Sequence, residues 1–74
     1  MIGVGDGPNR IAVGGGAVWV ANRNDSTLTR IDAETGRKVG DPVEVAANPF
    51  GLDVAGRQVW VSSPPDGTVQ RVDF

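Results

Sequence analysis

The sequence predicts an all-β chain of the β-propeller class, and three observations carry that expectation. The first is an internal echo: residues 1 to 33 align with residues 42 to 74 at a constant offset of 41, without a gap, and 11 of the 33 pairs are identical. The identical pairs are Val4/Val45, Pro8/Pro49, Val13/Val54, Gly15/Gly56, Val18/Val59, Trp19/Trp60, Val20/Val61, Asp25/Asp66, Thr27/Thr68, Arg30/Arg71 and Asp32/Asp73. A repeat of about 40 residues built from short apolar alternations is the pattern of a propeller blade. The second is composition: 11 glycines and 5 prolines punctuate runs of Val, Ile, Thr and Trp. No stretch sustains a 3.6-residue period, so no α-helix is expected. The third is alternation, which places Val18 and Val20 on one side of a strand and Trp19 on the other, with Val59, Val61 and Trp60 repeating the arrangement. Both sides are apolar, as a sheet sandwiched between two others requires.

The elements follow from the turns. Gly14-Gly15-Gly16, Asn22 to Ser26, Glu34-Thr35-Gly36 and Asn48-Pro49 bound four extended runs in the first repeat: Arg10 to Val13, Ala17 to Ala21, Thr27 to Ala33 and Lys38 to Val45. The second repeat supplies Gly51 to Ala55, Gln58 to Ser62 and Thr68 to Phe74. Each repeat is then a four-stranded antiparallel meander, strands A to D from the axis outward. The expected organisation is one two-blade unit over residues 1–74: an outer strand for a neighbouring blade at 1–5, blade one at 8–45 and blade two at 49–74.

The phase of the repeat decides how such a unit would close. Met1 to Gly5 aligns with Pro42 to Ala46, the end of strand D, whereas the second repeat stops at strand C and has no counterpart of Glu34 to Asp41. Blade two is thus expected to take its outer strand from another copy. Ile2 and Val4 of one protomer would pair with the strand around Thr68, Val69 and Val72 of the next, leaving no unmatched edge. Two blades per chain make the ring even-numbered: a homotrimer with six blades is favoured over a homotetramer with eight, because Ala12, Gly14, Gly51 and Ala55 let the inner strands approach the axis closely.

The run Gly7-Pro8-Asn9-Arg10-Ile11-Ala12-Val13-Gly14-Gly15-Gly16-Ala17-Val18-Trp19-Val20-Ala21-Asn22, continued by Asp25-Ser26-Thr27-Leu28-Thr29-Arg30-Ile31-Asp32-Ala33-Glu34-Thr35-Gly36, closely resembles the bacterial YVTN-type propeller repeat. It is also similar to the repeats of virginiamycin B lyase-like and NHL propellers. The resemblance covers the whole chain, once completely and once without eight residues. It implies a bacterial origin and six to eight blades in a full-length chain, so that two blades suggest a fragment-sized product or an excised or engineered piece. Function is not implied, since such repeats serve as lyases, sensor domains and binding scaffolds. The lyase branch is expected to use histidine with a divalent metal, and this chain has no histidine from which such a role could be carried over.

Chemistry is narrowed by what the sequence lacks. With neither cysteine nor histidine, it offers no thiolate nucleophile, imidazole base or common zinc set. No cofactor, metal site or catalytic residue is expected. A formal charge of −2 provides no basic footprint for nucleic acid. Apolar runs of a few residues are too short for a membrane span, and Met1-Ile2-Gly3 has neither the basic start nor the apolar region of a signal peptide. Nothing assigns a compartment. Gly3 to Pro8 looks like a dinucleotide loop, but Pro8 leads into a strand where that loop needs a helix.

The remaining motifs are read structurally. Trp19 and Trp60 are expected between blades, Asp25 and Asp66 as acceptors of amides in their own B–C turns, and Arg30/Asp32 with Arg71/Asp73 as an ion-pair ladder. A small-molecule or glycan site would lie where the D–A and B–C connections emerge, because those loops differ between the repeats. Its candidate residues are Arg10, Arg23, Asn24, Phe50 and Asp53, the last a carboxylate in an otherwise apolar inner strand expected to face a central channel. The leading expectation is a non-enzymatic, self-assembling scaffold; a lectin-like or sensor-like binding module is the alternative, and a lyase-type enzyme ranks last.

Overall fold

A computed structural model of the chain describes residues 3–74. Its strands are β1 (Pro8–Gly14), β2 (Ala17–Asn22), β3 (Thr27–Asp32), β4 (Val43–Glu44), β5 (Gly51–Ala55), β6 (Gln58–Ser63) and β7 (Thr68–Asp73), with one short 3₁₀ turn at Pro64–Asp66. They form two antiparallel sheets, β1-β2-β3-β4 and β5-β6-β7. The chain is all-β, and each strand lies within a residue or two of its expected run except the fourth. Lys38 to Val45 was expected to be one strand. Only Val43 and Glu44 pair regularly, opposite Leu28 and Thr27, and Lys38 makes an isolated bridge to Ile31. Gly40 takes φ +67° and Pro42 has no amide to donate, so the ladder is interrupted between them.

The sequence echo is reproduced in the hydrogen-bonded register. Ala17↔Asp32 through Asn22↔Thr27 in β2–β3 becomes Gln58↔Asp73 through Ser63↔Thr68 in β6–β7, each partner shifted by the same 41 residues. Ile11↔Val20 likewise becomes Leu52↔Val61. Left-handed backbone recurs at matching places: Gly7 with Asn48, Gly15 with Gly56, and Ser26 with Gly67. The amide of Ala33 reaches Gly16 O at 3.1 Å as that of Phe74 reaches Arg57 O at 2.9 Å. The two sheets are therefore copies in backbone as well as in sequence.

Alternation gives each sheet two distinct faces, and one unlike pair is closed. Ala17, Trp19, Ala21 and Leu28 of the first sheet pack on Val59 and Val61 of the second, with Leu52, Val54, Val72 and Phe74 around them. Phe74 meets Trp19 edge-on, its centroid 5.1 Å away, and the Arg30 guanidinium lies over both rings. β1 comes so close to β5 that a Cβ on Gly14 would stand 2.7 Å from Val54 Cγ1, which is why glycine is needed there.

Candidate functional site

Two sheet faces stay open. On the first sheet, period-two alternation puts Ile11, Val13, Val18, Val20 and Ile31 opposite the Trp19 side; Ile11 and Val13 are each 67% exposed and Val18 is half-buried, whereas Val20 and Ile31 are buried, so this face is open along β1 and covered towards β3. On the second, Trp60 is 42% and Val69 69% exposed, flanked by Asp53, Arg71 and Asp73. Trp19 is thus buried between sheets, whereas its counterpart Trp60 lies half in water. The open face of the first sheet also carries a polar knot that sequence reasoning assigned to a turn: Asn22 is buried, and its Nδ2 donates to Thr29 Oγ1 at 2.8 Å and Thr27 Oγ1 at 3.2 Å.

The segment before β1 lies on the first sheet as the segment before β5 lies on the second. Asp6 N donates to Asp25 Oδ2 at 2.7 Å, and 41 residues later Ala47 N donates to Asp66 Oδ2 at 3.3 Å. Asp25 and Asp66 therefore clamp the incoming connection rather than their own B–C turns, because the crossing chain presents free amides at the turn. Side-chain sizes are matched at this crossing. A Cβ on Gly5 would collide with Asn22, 2.7 Å from its Cγ, whereas the second repeat has Ala46 beside the smaller Ser63, whose Oγ reaches Ala46 O at 3.4 Å.

Of the residues expected to close an oligomer, Val4 is half-buried and, with Gly5, Thr29 and Pro42, lines a cleft of about 290 Å³. Thr68 and Val69 are exposed on β7, which has no strand beyond it among the described residues. Val72 turns instead into the closed seam. Ile2 lies outside the described residues.

The ligand candidates are partly brought together. The Arg10 guanidinium stands 4.6 Å over the Phe50 ring, and Phe50 lines a cleft of about 460 Å³ with Arg23, Asn48, Pro64 and Pro65. Asn24 is exposed and not part of that lining; Asp53 pairs with Trp60 on the open sheet face. The expected Arg–Asp ladder forms only on the second sheet, where Arg71 Nε is 3.3 Å from Asp73 Oδ1. On the first sheet Arg30 is drawn to the rings, and Asp32 Oδ1 accepts the amides of Thr35 at 2.9 Å and Glu34 at 2.8 Å. These bonds, Thr35's foremost, hold the Asp32 carboxyl below its ordinary value.

The described chain is an all-β unit of two antiparallel sheets whose distinctive surface is a pair of unlike, open faces. No family model matches the chain, and no curated protein does.

Proposed function

We propose that the chain is a non-enzymatic β-propeller module of two blades, of the YVTN-type, virginiamycin B lyase-like and NHL-related kind, that assembles with copies of itself. The observation that carries this reading is the closed seam between two sheets of identical register, which leaves on each sheet the face that its counterpart buries. Blade one corresponds to residues 8–45 and blade two to 49–74. A homotrimer is favoured over a homotetramer, supported by the close approach of Gly14 to Val54 at the inner strands. The β3–β4 register carries the strand exchange further. Glu44 faces Thr27 and Val45 N donates to Ser26 O at 3.0 Å, so Gly3 of one copy would face Thr68 of the next and Val4 N would reach Gly67 O.

Native mass spectrometry and sedimentation of the 74-residue chain test the assembly. Three copies per particle are expected, and a folded monomer at micromolar concentration would sink it. Removing residues 1–5 should dissociate the particle; an intact oligomer after that deletion refutes strand exchange alone.

The convergence of Arg10, Phe50 and Arg23 supports a second reading, a small-molecule or glycan site multiplied around the ring. A glycan array and a thermal-shift screen should then find a ligand whose stabilisation vanishes in Phe50→Ala and Arg23→Ala. Silence across both screens rejects it.

A further inference from the structure

We infer that copies join head to tail, the Trp60 face of one chain seating on the Ile11, Val13, Val18 and Val20 face of the next. This rests on the assembly reading above and specifies which surfaces meet. Repeat equivalence identifies the occupant. Trp60 and Val69 stand where Trp19 and Leu28 stand in the closed seam, and Ile11, Val13, Val18 and Val20 stand where Leu52, Val54, Val59 and Val61 stand. The chain therefore already contains one instance of the contact, and each open face is one half of a second. A two-fold contact would place like faces together, which the closed seam does not do. The open valine face has no charge over β1 and β2 and carries its charges at the outer edge, where Glu44 stands opposite Thr27 and Lys38 opposite Ile31, so the seat for Trp60 itself is uncharged. Asp53 occupies the place of Ala12, which the closed seam leaves partly exposed, so its carboxylate keeps water.

The two contacts differ at several positions: Ala55 stands where Gly14 meets Val54, so β5 must sit slightly farther from the next copy's Val13, and Gln58 stands where Ala17 is buried. Phe74, which meets Trp19 edge-on, is replaced in the first repeat by Ala33, whose amide makes the equivalent backbone bond. Across the contact between copies, Ala33 would stand beside Trp60 without filling the space that a phenyl ring fills within the chain. The joint between copies is accordingly the weaker of the two.

Single-face variants test the pairing. Val13→Lys blocks the valine face and Val69→Lys the tryptophan face, at positions exposed in the single chain, and retained burial of Trp19 fluorescence reports that each still folds. Each variant alone should run as a monomer, while an equimolar mixture should give a 1:1 dimer through the two faces left intact. Either variant assembling alone like the parent, or a mixture that stays monomeric, overturns the head-to-tail pairing while leaving assembly itself standing. A monomeric parent overturns both. Ala33→Phe supplies a gain-of-function arm: by restoring the edge-on aromatic pair it should lower the dissociation constant about tenfold, and an unchanged constant counts against Ala33 meeting Trp60.

Discussion

Replacing each tryptophan by alanine separates packing within the chain from the proposed packing between copies, because the repeat makes the two residues equivalent in sequence but not in surroundings. Trp19 is 1% exposed, with Phe74 at its edge and Arg30 above it. Burying an indole removes roughly 200 Å² from water, or about 5 kcal/mol at about 25 cal/mol per Å². Truncations of this kind cost about 3–5 kcal/mol. A chain of 74 residues is expected to have a total stability of about 4–11 kcal/mol, so Trp19→Ala should remove roughly a quarter or more of it even while the chain is alone. Trp60 is 42% exposed, and only about half of that cost, roughly 2 kcal/mol, applies while the chain is alone. Its cost should climb towards that of Trp19 as concentration drives assembly. Urea unfolding followed by far-ultraviolet circular dichroism, at concentrations from far below to far above the assembly midpoint, measures both. Equal losses for the two variants in the dilute regime would refute the assignment of Trp19 to the closed seam and Trp60 to the open face.

Three further outcomes follow from the geometry. Gly14→Val should cost about 1–3 kcal/mol in denaturant unfolding, since its Cβ would stand 2.7 Å from Val54 Cγ1; an unchanged midpoint would mean that β1 and β5 do not approach so closely. Asp25→Ala should speed exchange of the Asp6 amide, and Asp66→Ala that of Ala47, measured by hydrogen exchange, while leaving the B–C turn amides protected. Because the folded Asp32 carboxyl is held below its ordinary value, its contribution to stability is present above that value and is lost as pH falls through the lower folded one. Comparing acid unfolding of the parent with Asp32→Asn, together with an NMR titration of Asp32, should find that pH-dependent increment only in the parent.

Strand order was legible in the sequence because it is local: alternation with period two, turn residues at fixed places and a gapless offset of 41 leave few other ways to arrange these runs. Even so, one strand was overextended. Gly40 and Pro42 outweigh the apolar alternation of Val39, Val43 and Val45 by removing regular geometry and a donor in the same turn.

The site was legible in part. Sequence divergence between the repeats singled out Arg10, Arg23 and Phe50, which the structure gathers, and also Asn24 and Asp53, which it does not. Divergence marks loops that are free to differ, but convergence on one cleft depends on how the sheets stack. The same limit applies to Asn22, Asp25 and Asp66: each reads as a turn residue from its neighbours, yet its partners lie on another strand or a crossing segment.

By itself the sequence determined that two matching, two-faced sheets would form, and that Val18 and Trp19 would point to opposite sides. Only the tertiary structure decided that the Trp19 face closes on Val59 and Val61 while the Trp60 face stays open. Local pattern treats equivalent residues alike, whereas burial depends on which neighbour lies against them; between two sheets only one of the matching contacts can be made.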